Sequence, residues 1–68
     1  MAGKLTVAER LRVVRAAMPW LAERPAHQLL TEQLDVEICL AGGSPPNMTI
    51  ETRLRVLDEA RRVQEAGK

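Results

Sequence analysis

Apolar residues recur along the chain with the spacing of amphipathic helices, in three blocks separated by proline and glycine. The first block follows Thr6-x-x-Glu9, a capping-box pattern that predicts the start of a helix. Behind it, apolar residues are spaced by four, three, four and three positions, which places them on one helix face. These residues are Val7, Leu11, Val14, Met18 and Leu21.

A second apolar line flanks the first and consists of Val13, Ala17 and Trp20. Together the two lines cover about half of the helix circumference, which is more than one neighbouring helix requires. Either both lines are internal core, or one of them is shared with another chain. Trp20 is the anchor that we expect in the second case, because tryptophan supplies a large, rigid contact area at interfaces.

Proline and glycine set the limits of the helices. We expect a first helix over 6–23, which either kinks at Pro19 or ends near Met18 with 19–23 as a separate turn, because proline cannot donate to the preceding turn. Pro25 suits the first position of a second helix over 26–41, although a start at Thr31, which gives two short helices with a turn between them, is also compatible. Gly42 and Gly43 predict a left-handed cap at its end.

The second helix is apolar over a wide arc, so we expect it to be the most buried element. Its main line consists of Leu30, Leu34, Ile38 and Ala41, and Leu29, Val36 and Leu40 extend that surface sideways.

After a loop over 42–48 that contains a Pro-Pro step, Thr49 or Asn47 caps a third helix over 49–66. Its predicted buried face consists of Ile50, Leu54, Val56, Leu57, Ala60 and Val63. The pattern therefore predicts one all-α domain over 1–68. We expect a compact bundle of three helices with short loops, which dimerises through helix one.

The composition favours self-association as a source of stability. A chain of 68 residues buries a modest share of its surface and is marginally stable without help. A single cysteine excludes an internal disulfide, and that cysteine with one histidine falls short of a structural zinc site. The longest apolar run, Ala16–Ala22, contains a proline and is far too short for a membrane span. We therefore expect a cytoplasmic protein with a reduced thiol.

Residue chemistry offers no constellation for catalysis, a cofactor or a metal. His27 has no paired nucleophile, and Cys39 lies in an apolar context that favours a buried, inert thiol. Glu32, Asp35 and Glu37 fit a solvated acidic face better than a metal site. With a net charge of +1, no global field steers the chain to nucleic acid or membrane. We predict that the protein is not an enzyme and needs no cofactor.

The stretch LAGGSPPNMTIETRLRVLDEARRV, Leu40–Val63, resembles the end of the helix-turn-helix in lactose-repressor-type transcription regulators. There a reading helix ends in a Leu-x-Gly step, and a third helix opens Ser/Thr-x-Glu-Thr-Arg-x-Arg-Val-Leu. The residues that match this opening are Thr49, Glu51, Thr52, Arg53, Arg55, Val56 and Leu57. The resemblance implies DNA binding, with Thr49, Arg53 and Arg55 near phosphates. The preceding LLTEQLDVEICLAG departs from the family, because it carries three carboxylates and no cation.

The sequence thus favours a small helical regulatory or adaptor protein, such as an inhibitor or accessory factor of a mobile element. We expect it to act as a homodimer that binds another, unidentified protein. The predicted interface consists of Val7, Leu11, Val14, Met18, Trp20 and Leu21. The alternative is a dimeric helix-turn-helix regulator that binds DNA.

Overall fold

Three α-helices form most of the protein in a computed structural model that describes residues 5–66. They are α1 (Val7–Ala17), α2 (Leu30–Leu40) and α3 (Ile50–Ala66), with short 3₁₀ turns at Pro19–Leu21 and Ala26–Gln28. No strand occurs among these residues. The prediction of an all-α bundle of three helices is confirmed.

The start of α1 has both hydrogen bonds of the predicted capping box. The Glu9 backbone N–H donates to Thr6 Oγ1 at 3.1 Å, and the Thr6 N–H donates to Glu9 Oε1 at 2.9 Å. Two backbone donors that have no partner inside the helix are thereby satisfied. The entry into α1 is thus fixed by residues that the sequence pattern identified.

Pro19 ends α1 rather than kinking it. The last helical hydrogen bond runs from Met18 N to Val14 O at 2.8 Å, and Met18 then leaves the helical conformation with φ −126° and ψ 73°. The Pro19–Leu21 turn follows in a new direction. The prediction of one helix over 6–23 was therefore wrong in length, and the alternative of a break with a separate turn is confirmed.

An arginine holds the connection between α1 and α2. Arg15 Nη1 donates to the carbonyl of Ala22 at 2.5 Å and to that of Arg24 at 2.9 Å. Pro25 then precedes the Ala26–Gln28 turn, and α2 itself begins at Leu30 without a side-chain cap. The predicted start of the second helix at 26 was four residues too early, because the first of these residues form the 3₁₀ turn, and the alternative start at Thr31 is one residue from the observed one.

The core lies where α1 packs against both other helices. The radius of gyration of 10.9 Å equals what a compact chain of this length should have, about 11 Å. The buried apolar residues are Leu5, Val13, Val14, Ala17, Met18, Leu29, Val36, Cys39, Val56, Ala60 and Val63.

The orientation of α2 contradicts the predicted one. The expected inner line is on the outside, with Leu30 62%, Leu34 59% and Ile38 42% exposed. The flanking side faces the core instead, and Leu29 and Val36 are completely buried, whereas Leu40 at the end of the helix is 37% exposed. Because α2 is apolar on both sides, periodicity could not decide which side packs inward. Its prediction as the most buried element was wrong for this reason.

The end of α2 is a Schellman motif on the predicted glycine pair. The Gly43 N–H donates to the carbonyl of Ile38 at 2.8 Å and the Gly42 N–H to that of Cys39 at 3.0 Å. Gly42 has a φ of +91°, a conformation that favours glycine. Arg53 Nε then donates to the carbonyl of Gly43 at 3.0 Å, which fixes the loop against α3.

Thr49 caps α3, since Thr49 Oγ1 accepts from the Thr52 N–H at 3.1 Å. Of the predicted inner face, Val56, Ala60 and Val63 are buried and Leu57 is partly buried. Ile50 and Leu54 are instead exposed. Both lie in the first two turns of α3, on the side away from Val56, so their prediction as core residues was wrong.

Candidate protein-binding surface

The outward side of α2 carries an apolar ridge, which we define as Leu30, Leu34 and Ile38. The three residues are spaced by four positions, so they follow one another along the helix, one turn apart. Each is more than two-fifths exposed. Monomeric proteins rarely leave such contiguous apolar area uncovered without a use for it. The α2 ridge is therefore the surface on which we concentrate.

A groove with a volume of about 580 Å³ lies at the beginning of the ridge. The start of α1, the Ala26–Gln28 turn and the first two turns of α2 form its walls. The residues that line this groove are Val7, Arg10, Ala26, His27, Leu30, Gln33 and Leu34. Apolar walls with a few polar groups are typical of sites that receive a ligand or a partner side chain.

Gln33 is the buried polar residue of this groove, with 7% of its surface exposed. No hydrogen bond joins its side-chain amide to the other residues of the 5–66 range, although its backbone N–H donates to Leu29 O within α2. A primary amide has two donors and an acceptor, and the Gln33 amide atoms are not among the buried side-chain atoms of residues 5–66 that lack a partner, so they keep contact with solvent. Gln33 thus offers hydrogen-bonding capacity that a bound partner could use.

Arg10 forms the polar wall of the groove and ties three segments together. Its Nη1 donates to the carbonyl of Leu5 at 2.8 Å and to Glu37 Oε1 at 2.9 Å. The Arg10 side chain is 18% exposed and that of Glu37 is 42% exposed, so this ion pair between α1 and α2 is shielded from solvent on the Arg10 side alone. Arg10 Nε is buried and has no hydrogen-bond partner among the described residues.

The charges of α2 are all negative. Glu32, Asp35 and Glu37 lie on this helix, and it contains no lysine or arginine. Glu37 is neutralised by Arg10, whereas Glu32 and Asp35 form no ion pair with any residue between 5 and 66. Burial and then the charge of Glu32 raise the pKa of Asp35 above its ordinary value. Asp35 lies on one flank of the α2 ridge, whereas Glu32 lies on the opposite side of the helix, about 160° from Leu34 at 100° per residue.

The residues of the interface predicted from the sequence lie in different environments. Val7 and Trp20 are exposed, at 53% and 63%. Leu11 and Leu21 are partly buried and pack against the core. Val14 and Met18 belong to the core, so their side chains are already covered within the chain. The break at Pro19 explains the outcome, because Trp20 and Leu21 no longer follow the register of α1.

The residues implied by the helix-turn-helix resemblance are partly engaged inside the chain. Thr49 caps α3, and the guanidinium of Arg53 donates to the Gly43 carbonyl. Arg55 is exposed. The outer face of α2, which would have to approach DNA in this arrangement, presents the α2 ridge and carboxylates. DNA binding stays a prediction that these contacts do not strengthen.

Cys39 has an environment suited to packing rather than reactivity. It is 1% exposed, and its Sγ lies 3.5 Å from the sulfur of Met48. Burial raises the pKa of the Cys39 thiol, which lowers the fraction of reactive thiolate. Within residues 5–66, no three His, Cys, Asp or Glu side chains are grouped so that they could hold a metal ion.

Sequence reasoning missed the groove, and Gln33 was the available signal. Gln33 continues the spacing of Leu29, Val36 and Leu40 at intervals of four, three and four. A polar, uncharged residue in register with the buried side of a helix is worth notice, because burying it requires a hydrogen-bond partner. The contribution of Ala26 had no such signal, since the 3₁₀ turn that carries it was predicted as helix.

None of the helices between residues 5 and 66 combines the length and the apolar character needed to cross a membrane. Comparisons with protein-family models, with curated proteins and with solved structures find no match to this chain. The α2 ridge and the groove are therefore the features of this chain that bear on its function.

Proposed function

We propose that this chain is a small protein-binding module, and that the partner docks on the α2 ridge and the adjoining groove. The observation that carries this proposal is the exposure of Leu30, Leu34 and Ile38 in one continuous line. A role as a regulator or adaptor fits such a module, because it would act by covering a surface of its partner or by bringing proteins together.

The energetics of burial support the proposal. Covering an exposed leucine stabilises a complex by roughly 1.5–3 kcal/mol before the entropic cost of association. Three large side chains in a row, with a groove at one end, resemble the centre of an interface, where binding energy is concentrated. The remaining core is complete without them, since Leu29, Val36 and Val56 are already fully buried.

Site-specific photo-crosslinking in living cells tests the proposal. A photoreactive amino acid replaces Leu34 in one variant and Leu54 in the other, because the two leucines are equally exposed, at 59% and 57%. We expect the position 34 variant to give discrete protein adducts that the position 54 variant does not give. Equal adduct patterns from the two positions would mean that the α2 ridge is ordinary surface, and the proposal would be abandoned.

Homodimerisation is a separate part of the proposal. Val7 and Trp20 remain exposed, and Val7 lies in the wall of the groove. Sedimentation equilibrium of the whole chain at micromolar to millimolar concentration measures the association directly. If the protein dimerises through these residues, Trp20→Ala should weaken the dimer at least ten-fold. A wild-type chain that stays monomeric throughout this range would remove the homodimer.

A further inference from the structure

We propose that residues 19–28, which we call the strap, form a movable wall of the groove that Arg15 holds in place. The strap connects Met18, which is buried at the end of α1, to Leu29, which is buried just before α2. This inference rests on the proposed function, because it specifies what controls the docking site.

The strap is exposed along almost its whole length. Leu21 is its one partly buried residue, and every other residue of 19–28 is exposed. Neither of its two 3₁₀ turns contributes a buried side chain. Contact with the apolar core therefore holds the strap at Leu21 alone. A segment with so few buried apolar contacts opens more easily than the helices that it connects.

The backbone hydrogen bonds of the strap are local. Each joins an N–H group to the carbonyl three positions earlier, so the bonds shape the two turns without attaching them to the body of α1 or α2. The donors are the N–H groups of Leu21, Ala22, Arg24, Gln28 and Leu29. These bonds are compatible with movement of the strap away from the helices.

Arg15 supplies the hydrogen bonds that join the strap to α1. Its Nη1 donates to the carbonyls of Ala22 and Arg24, and no other side chain of α1 or α2 forms a hydrogen bond or ion pair with the strap. A guanidinium that donates to a carbonyl makes a charge-assisted hydrogen bond, which is stronger than a neutral one. One side chain of α1 thus fixes the middle of the strap.

The strap in turn forms part of the groove. Ala26 and His27 line the groove from the strap, whereas the other lining residues lie on α1 and α2. Pro25 connects Arg24 to this wall, and its ring restricts φ, which is −66° here. The wall therefore follows the position of Arg24, and the groove is complete only while Arg15 holds the strap.

The position of the strap and the occupancy of the groove should be coupled. A partner in the groove would bind the closed strap more tightly than the open one, because opening withdraws Ala26 and His27. Binding would then shift the strap towards its closed position, and loss of the Arg15 contacts would weaken binding. Arg15 is thereby a positioning residue for a groove that it does not itself line.

Time-resolved fluorescence anisotropy of the whole chain tests whether Arg15 holds the strap. Trp20 is the single tryptophan of the chain and lies in the strap, so its anisotropy decay reports the motion of this segment. We expect Arg15→Met to increase the amplitude of the nanosecond component about two-fold or more. Arg15→Lys can still donate to one carbonyl, and its amplitude should lie between those of Arg15→Met and the wild type.

Arg12→Met is the matched control. Arg12 also lies on α1, is exposed and forms no hydrogen bond or ion pair with the strap. Its replacement removes the same charge from the same helix and should leave the Trp20 decay unchanged. All three variants should keep the wild-type circular dichroism spectrum, because none of the substitutions is in the buried core.

Photo-crosslinking from position 34 connects the strap to the docking site. In the Arg15→Met background, the yield of protein adducts should be at least three-fold lower than in the wild-type background. In the Arg12→Met background the yield should be that of the wild type. Arg15 does not line the groove, so a loss of adducts would come from the displaced wall.

Several outcomes would overturn the inference. They are an unchanged Trp20 decay in Arg15→Met, the same change in Arg12→Met, or equal adduct yields from position 34 in the Arg15→Met and wild-type backgrounds. A wild-type chain that gives no adducts from position 34 would instead remove the proposed function and, with it, the control of docking by the strap. The Trp20 decay would still decide whether Arg15 holds the strap, so the two failures are distinguishable.

Discussion

The helices α2 and α3 both expose leucines, yet their surroundings differ. On α3 part of the outer charge is paired, since Asp58 contacts Arg61 at 2.8 Å and Arg62 at 3.0 Å. α3 also has 17 residues and a threonine cap. α2 has 11 residues, no side-chain cap at its beginning and no cation. α3 is stabilised by its own sequence, whereas α2 depends on what it packs against.

The difference indicates which exposed apolar surface is ready for a partner. Leu54 shares its outer line on α3 with Ile50, and neither residue lines the groove. The α2 ridge has three exposed apolar residues in line and leads into the groove at its beginning. Equal exposure of two leucines therefore does not mean equal readiness to bind, because Leu34 lines the groove and Leu54 does not.

The largest difference in unfolding free energy should be between a substitution on the buried side of α2 and one on its exposed side. Leu29 is fully buried and its neighbour Leu30 is 62% exposed. Leu29→Ala should lower the free energy of unfolding by about 2–5 kcal/mol, because it leaves a cavity in the core. Leu30→Ala should change it by less than about 0.5 kcal/mol. Urea denaturation followed by circular dichroism measures both, and similar losses would mean that α2 has another orientation.

The glycine cap should have the next largest effect, because α2 has no capping side chain at its other end. Gly42→Ala places a side chain at a φ of +91°, where nothing crowds it but the backbone is strained. We expect a loss of about 1–2 kcal/mol in unfolding free energy. Asn at the same position tolerates the left-handed region better and should lose less. Equal losses for Ala and Asn would contradict the cap as the cause.

The N-terminal cap of α3 should contribute less. Thr49→Ala removes the acceptor for the Thr52 N–H and should lower the unfolding free energy by about 1 kcal/mol. Thr49→Ser keeps the hydroxyl and serves as the control. Because α3 also has its ion pairs, the native circular dichroism spectrum should persist in both variants. A serine variant as unstable as the alanine variant would point to the lost methyl group instead.

The smallest effects on stability should come from the carboxylates of Asp58 and Asp35, and the two effects have opposite signs. The hydrogen bond from Arg61 and then the charge of Arg62 lower the pKa of Asp58, so its ionised form stabilises the fold above about pH 4. That contribution is lost as the pH falls through the lowered pKa of Asp58. The raised pKa of Asp35 means that its ionised form is disfavoured in the folded state, so ionisation of Asp35 at neutral pH destabilises the folded state.

At about pH 7, Asp58→Asn should therefore lower the urea midpoint slightly and Asp35→Asn should raise it. Both differences from the wild type should shrink as the pH falls through the range in which each carboxyl group is protonated, and that range lies higher for Asp35 than for Asp58. A shift of the same sign in both variants would contradict the contrast between the two helices. Arg61→Gln should shift the midpoint in the same direction as Asp58→Asn, since it removes the other partner.

Much of the local structure was predictable because it depends on neighbouring residues. Thr6 with Glu9, the Gly42–Gly43 pair and Thr49 each define a helix end within a few positions. The orientation of α2 was not predictable, because Leu29 and Val36 on one side are as apolar as the ridge on the other. That choice depends on how α1 and α3 approach, which periodicity does not contain.

The candidate site also combines features that the sequence could predict with features that it could not. The exposure of Trp20 was compatible with the sequence, but Pro19 decided its environment by ending α1. Arg53, expected near phosphate, is held by the Gly43 carbonyl, a contact across a loop whose conformation depends on that residue pair. The groove needs the Ala26–Gln28 turn, α1 and α2 together. It is a property of the assembled bundle, so no single segment could reveal it.

The thiol of Cys39 has a practical consequence. It is the chain's single cysteine, it is sealed on the inner side of α2, and it touches Met48 in the following loop. A thiol reagent can reach it only when α2 separates from its neighbours, so the labelling rate under native conditions reports how often the bundle opens there. The labelling rate of Cys39 thus measures how often the helix on which a partner would dock moves away from the core.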